Sequence, residues 1–382
     1  MRHQNSVFHQ ITKFIDWQTF DGLVDKHKAD FRVRRLTTKD QFLALLFAQL
    51  SGSVSLREID AGLKSHSNLL YHCGASQVAR STLADANAKR PAVVFEELFT
   101  SLVAQANRAV RRKMSDVIRL LDATNISLST TSAHWAQFSE QTCAAKLHLI
   151  HDPDTGLPLK AEITSANVND ITPARGFDCE AGATYVFDLG YYSFQWWADL
   201  DAQGCRFVTR LKTHTKLRDV HQHDVPDDGN ILADRIGYLP KRLSGSRSNP
   251  FAKPVREITV RLDTGRTIRI VSNDLDASAC EIADLYKLRW QVELFIKWIK
   301  QNLKIKRFLG TSKNAVSIQI YVALIAYVLI RLAHNAQKQI AKPVAFMRLV
   351  RINLMHRKPI NALNKPNAPP PLQTNQMRLQ FI

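Results

Sequence analysis

The chain has 382 residues, 45% hydrophobic and 23% charged, a balance that excludes a disordered or fibrous protein and fits a globular one of two or more domains. Its 52 Lys and Arg against 34 Asp and Glu leave a net charge of +18, which points to a polyanionic partner, nucleic acid ahead of an anionic membrane. Five scattered cysteines (Cys73, Cys143, Cys179, Cys205, Cys280) form no CxxC pair, which argues against both a disulfide framework and a structural zinc site.

The opening MRHQNSVFHQITKFIDW lacks the apolar run of a signal peptide, so the expected location is the cytoplasm. Residues 1–110 read as mostly helical. Thr37 and Thr38 can cap KDQFLALLFAQL, and Ser53 or Ser55 can cap LREIDAGL. RSTLADANAKR, ended by Pro91, precedes a longer helical stretch, VVFEELFTSLVAQANRAVRR. Short helices with Lys and Arg at their ends suit a DNA-binding module such as a helix-turn-helix, and a plain helical packing domain fits the same residues.

Strand patterns begin near 115. DVIRLLD (116–122) and ATYVFD (183–188) are apolar runs that each end in an acid. Between them AKLHLIHDPDTGLPLKAEITS (145–165) predicts a hairpin about a Pro-Asp-Thr-Gly turn. A helix, YYSFQWWADLDAQ, and another strand, RFVTRLK (206–212), follow; Trp196 and Trp197, with Tyr191 and Tyr192, are expected in the core. Arg210 and Lys212, two residues apart at the end of that strand, point the same way and are candidates to meet phosphate.

Residues 213–267 are rich in polar and turn-forming side chains and read as an insertion into an α/β catalytic domain spanning 111–335. His221 and His223 within it have a spacing more often incidental than metal-binding. VSIQIYVALIAYVLI (316–330) is short for a membrane span and carries Ser317 and Gln319, so a buried core helix is expected. Residues 336–382 form a basic C-terminal segment with a Pro-rich tail.

The chemistry concentrates in DLYKLRWQVELFIKWIKQNLKIKRFLG (284–310). Leu285, Leu288, Val292, Ile296, Ile299 and Leu303 keep the spacing of a buried helical stripe. At ~100° per residue, Tyr286, Arg289, Glu293 and Lys300 share one face beside that stripe, bordered by Lys297 and Lys304. Beyond Glu293 the chain has fifteen Lys and Arg and no Asp or Glu. An ordinary surface pair of Glu293 with Lys297 would leave that isolation unexplained. A carboxylate inside a phosphate-binding surface is repulsive unless a metal ion bridges it, and metal-assisted phosphoryl transfer uses several carboxylates around two Mg²⁺. Asp122 and Asp188, each closing an apolar strand run, are the candidate partners. Strand–acid, strand–acid and helix–acid is the order in which a ribonuclease-H-like fold assembles a metal site.

Y-x2-R-x3-E-x6-K, filled by Tyr286, Arg289, Glu293 and Lys300, resembles the YREK signature of DDE transposases of bacterial insertion sequences, of the insertion-sequence-four type. VIRLLDATNI and ATYVFDLGYYSF are similar to that family's first- and second-Asp strands, and the resemblance runs from about 35 to 355. It implies a ribonuclease-H-like catalytic domain with a β-rich insertion, preceded by a helical DNA-binding domain. It further implies that Asp122, Asp188 and Glu293 hold two Mg²⁺, with Mn²⁺ as a substitute. Tyr286, Arg289 and Lys300 would hold the phosphates and terminal nucleotides of the element's end. The expected activity is cut-and-paste transposition, cleavage and strand transfer at terminal inverted repeats and target DNA, by a homodimer on paired ends near the bacterial nucleoid. Family members stack a flipped base on an aromatic side chain; the insertion here has no Trp, only Tyr238 and Phe251, so that role is unassigned. Two rivals remain: a non-catalytic DNA-binding regulator derived from a transposase, and a stand-alone metal-dependent nuclease.

Overall fold

The computed structural model describes residues 5–108, 117–225, 229–242, 248–303 and 308–366. The first residue of DVIRLLD, Lys304 and the Pro-rich tail from 367 onward lie outside the described residues. The chain opens with α1 (Val7–Thr12), α2 (Trp17–Lys26), α3 (Thr38–Ser51), α4 (Leu56–Ser65), the single turn α5 (Ser67–Leu70), α6 (Arg80–Lys89) and α7 (Val93–Asn107). Of the candidate caps, Thr37 and Ser55 do the work. Thr37 closes a capping box with Asp40 and Gly52 ends α3 at φ 85°, while the Ser55 side chain accepts from the Glu58 amide.

The sheet follows: β1 (Ile118–Leu128), α8 (Ala133–Ala136), β2 (Cys143–Asp152), β3 (Leu157–Ser165), α9 (Ile171–Ala174), β4 (Thr184–Val186), α10 (Phe194–Ala202) and β5 (Arg206–Arg210). Its order is β3-β2-β1-β4-β5, with β3, β2 and β1 antiparallel and β4 and β5 parallel to β1. That is a ribonuclease-H-like arrangement. The hairpin turns at Gly156, whose φ of 66° suits glycine, and the Gly156 amide donates to the Asp152 carbonyl at 2.9 Å.

Next come β6 (Arg218–His223), β7 (Ile231–Tyr238), β8 (Pro254–Arg261) and β9 (Thr267–Ser272). β9 pairs antiparallel with β5, and β8, β7 and β6 continue the same sheet outward. The residues between 213 and 267 therefore lengthen the sheet.

Among the described residues, α11 (Ala279–Leu288), α12 (Trp290–Asn302), α13 (Lys313–Asn335) and α14 (Pro343–Asn353) close the fold. Sequence periodicity predicts one helix through 284–303, whereas the structure has two, separated at Arg289. The Arg289 amide reaches back three residues to the Tyr286 carbonyl at 3.1 Å, and Val292 does the same to Arg289 at 3.2 Å. One tightened turn of 3₁₀ type breaks the ladder, yet Val292, Ile296, Ile299 and Leu303 stay buried and Leu285 and Leu288 pack against the same core.

α13 is the keel. Every residue from Ala315 to Ile330 is buried, so the segment expected as a core helix occupies that place. It packs on α3, α6 and α7 on one side and on β3 on the other, so the N-terminal helices and one face of the sheet share one core. The Tyr321 hydroxyl donates to the Ala161 carbonyl of β3 at 3.1 Å, while its ring lies 6.3 Å from Phe99 of α7. The opposite face is covered by α10, where Trp197 stacks 5.1 Å from Phe207 and Trp196 lies 4.7 Å from Phe187. Trp196, Trp197 and Tyr191 are core aromatics.

Candidate metal and phosphate site

β1 and β4 run side by side, Leu120 beside Val186, and β4 stops there. Two residues further on, Asp122 and Asp188 leave the same end of the sheet. Asp122 does not end its strand: β1 runs on to Leu128, because β2 continues to pair with it through Leu128↔Cys143 after β4 has stopped. Asp188 caps the short turn Leu189–Tyr191, accepting from the Gly190 amide at 2.8 Å. Glu293 sits in the first turn of α12, which packs on β1. Asp122, Thr124, Glu293, Lys297 and Lys300 line one open pocket of about 340 Å³.

Burial pushes the Asp122 carboxyl up to about 7, with the charges of Asp188 and Glu293 acting in the same direction. The Ala123 amide and the Arg289 guanidinium oppose the shift. A half-buried acid held this high beside two other acids is short of positive charge. Carboxylate oxygens are the donors a hard divalent cation takes, so these residues fit one chemically. Among the described residues, however, no three His, Cys, Asp or Glu side chains stand close enough to hold a metal as placed. Arg289 holds Glu293 instead, at 2.6 Å, with its guanidinium 5.7 Å over the Tyr286 ring. The Arg289 Nε is buried with no hydrogen-bond partner, a donor left without an acceptor.

Lys300 reaches from α12 to β1, donating to Thr124 Oγ1 at 2.6 Å and to the Asn125 carbonyl at 2.9 Å. Lys297 is exposed on the rim. Arg210 lines, with Tyr286 and Arg289, a second cavity of about 390 Å³ between α11 and the sheet. Lys212 parts from it and lies 4.4 Å over the Tyr192 ring, because β5 ends at Arg210 and strand alternation no longer governs the next residues. Lys304 is outside the described residues. The rings of His221 and His223 are 5.0 Å apart on the edge strand β6.

Sequence reasoning missed Asp170, which stands just before α9 in what reads as a turn, SANVND. Lys146 of β2 holds it at 2.8 Å. A Cβ placed on Gly190 would lie 2.8 Å from Asp170 Oδ2 and 3.0 Å from Asp188 Oδ1, so the two carboxylates flank that glycine. Tyr191 is buried beside them; burial, then the charges of Asp122, Asp170 and Asp188, hold its phenol well above the ordinary tyrosine value. No sequence signal marks Asp170 beyond its being an acid.

A family model described as the transposase DDE domain matches residues 113–329, more than half of the chain. The chain belongs to the DDE transposase family. A Sinorhizobium fredii protein named as transposase y4zB is 38% identical over 299 residues, 78% of this chain and 82% of that one. A Geobacillus stearothermophilus protein named as the transposase for insertion sequence element IS5377 is 29% identical over 274 residues, 71% of this chain and 72% of that one. Residues 3–76 match a second model, described as a domain of unknown function, DUF4372. A piggyBac transposase synaptic complex with hairpin DNA is similar with a TM-score of 0.43 at 10% identity, covering 91% of this chain and 78% of that chain. The DDE transposase is a DNA-cutting and DNA-joining enzyme that depends on a divalent metal.

Proposed function

We propose that this DDE transposase binds the terminal inverted repeats of its own insertion sequence as a homodimer on paired ends, and there cuts and joins DNA in the bacterial cytoplasm, at the nucleoid. The observation that carries the reading is the meeting of Asp122 with Glu293 in one pocket, with Asp188 two residues past the end of the neighbouring strand β4. Asp122, Asp188 and Glu293 would hold two Mg²⁺, for which Mn²⁺ can substitute. When bound, the ions supply charge neutralisation at phosphate oxygens and a nucleophile at neutral pH.

The residues around them do the rest. Tyr286, Arg289, Glu293 and Lys300 act as the YREK set: Arg289 moves from Glu293 to a phosphate, and Tyr286 flanks the terminal nucleotide. Lys300, already fixed between α12 and β1, orients the backbone. Lys297 extends this surface along α12, Lys304 adds a cation two residues past that helix in the sequence, and Arg210 and Lys212 bring further positive charge from the end of β5. Water attacks the phosphate at the element's end and leaves a 3′-hydroxyl. That hydroxyl attacks a target phosphodiester in line, forming the new bond as the target's own 3′-oxygen leaves as a hydroxyl, with no covalent enzyme intermediate. In domain terms we assign 1–110 to DNA binding, 111–335 with its insertion at 213–267 to catalysis, and 336–382 to a basic C-terminal segment.

Incubating the protein with duplex carrying the terminal repeat, a target plasmid and Mg²⁺ tests the reading. Joined product supports it. Cutting without joining would make the chain a nuclease, and a gel shift alone would make it a regulator.

A further inference from the structure

The loop between α2 and α3 carries Lys28-Ala-Asp-Phe-Arg-Val-Arg-Arg-Leu36, and Lys28, Phe31, Arg32, Arg34 and Arg35 are all exposed. Phe31 is 69% exposed, and the Arg32 guanidinium lies 5.1 Å over its ring. A loop this polar would ordinarily be a solvated surface with mobile side chains. This one is pinned. Its only acid, Asp30, is turned inward and accepts from the Thr38 amide and hydroxyl, each at 2.7 Å. Buried Arg90 sits 3.8 Å from Asp30, donates to Gln41 at 3.3 Å and hydrogen-bonds the Leu36 carbonyl.

The backbone is forced as well: Lys28 and Arg32 sit at φ 49° and 56°, in the left-handed region that side chains other than glycine rarely adopt. Among the described residues none of Lys28, Arg32, Arg34 and Arg35 takes part in an ion pair, although Asp85 across the groove pairs with Lys89 at 3.7 Å. The loop and α6 thus enclose a groove of about 760 Å³ with one wall of uncompensated cations and an aromatic ring. Sequence alone hides this, because the acid that would offset the cations is counted with them until the fold removes it.

We propose that this groove binds the sugar–phosphate backbone of duplex DNA, with Lys28, Arg32, Arg34 and Arg35 meeting phosphates and Phe31 packing on a sugar or base edge. The inference rests on the transposase reading and gives the segment matched by DUF4372 a role in holding DNA through residues separate from those that line the carboxylate pocket.

The test measures binding of a fluorescein-labelled duplex of mixed sequence, by anisotropy, over a salt series. Each lost phosphate contact flattens the log–log salt slope by about 0.9, so Arg32→Gln/Arg34→Gln/Arg35→Gln should flatten it by about 2.7. Between 50 and 200 mM salt that amounts to about 40-fold less loss of affinity than the parent shows. The charge-keeping set Arg32→Lys/Arg34→Lys/Arg35→Lys should hold the parental slope. If the triple Gln variant fails to fold, Arg34→Gln/Arg35→Gln, which avoids the left-handed position, should flatten the slope by about 1.8.

An unchanged slope and affinity in a folded Gln variant overturns the proposal. So does parental DNA binding accompanied by a changed oligomeric state on gel filtration, which would make the loop a protein contact. The two readings separate in the parent. A parent that binds and joins repeat ends while the variant binds equally well refutes only this groove, whereas a parent that binds no duplex refutes both.

Discussion

Gly190→Ala is a small perturbation aimed at the carboxylates alone. The added Cβ would lie 2.8 Å from Asp170 Oδ2 and 3.0 Å from Asp188 Oδ1, both inside normal contact distance. Each clashing atom is the far end of a carboxylate, so the side chains give way by a few tenths of an ångström against the Lys146 and Gly190-amide contacts that hold them, and the backbone stays. Gly190 is not in the left-handed region, so alanine brings no backbone strain and stability should change by less than about 1 kcal/mol. The chemistry is less forgiving. A displacement of ~1 Å can cost ~10²-fold in rate, and the shift here should cost about 10-fold or more. Single-turnover cleavage of repeat-end duplex, run beside a thermal melt, reads both quantities. Parental cleavage with a parental melt would refute the placing of Asp188 at the reaction centre.

Leu324→Ala removes a fully buried side chain from α13 and should cost about 2–5 kcal/mol, in a single unfolding transition shared by the N-terminal helices and the sheet; two resolved calorimetric transitions would contradict the common core. Burial holds His148 and His151 down to about 4 from an ordinary 6.5, so both are neutral in the folded chain at neutral pH. Their contribution is complete above 6.5 and disappears as pH falls through about 4, up to ~3 kcal/mol for each. His148→Asn should therefore flatten the acid limb of a urea-unfolding series, and an unchanged limb would count against it. Arg256→Ala strips the partner at 2.6 Å from buried Asp234 and should cost about 3–5 kcal/mol, seen as a lower urea midpoint.

Much of this was legible in the sequence, for stated reasons. Apolar runs ending in Asp122 and Asp188 located two adjacent strands, because a side chain leaving the core at a sheet end must be able to meet water or a ligand. The end of β1 was not legible. ATNISL continues as a strand only because β2 is there to pair with it, and that partner is remote in the chain. Periodicity found the buried stripe of α11 and α12 but not the turn at Arg289, since two hydrogen bonds spanning three residues instead of four leave the spacing of Val292, Ile296 and Ile299 intact. Alternation was carried too far at Lys212, past the last residue of β5. Asp170 and the loop at Lys28–Leu36 were invisible for a common reason. Each depends on a distant partner, Lys146 in one case and Arg90 in the other, and pairings across many residues leave no local pattern.

The most direct measurement compares the parent with Glu293→Gln, Asp122→Asn and Asp188→Asn on the same repeat-end duplex in Mg²⁺, recording binding and cleavage together. Each variant removes one proposed metal ligand while leaving Tyr286, Lys300 and the basic surface in place. The account predicts that each binds the duplex as tightly as the parent, or slightly more tightly for want of a repelling charge, and cleaves none of it. Cleavage at the parental rate by Glu293→Gln would contradict it, and would reduce the last carboxylate of the chain to an ordinary ion-pair partner of Arg289.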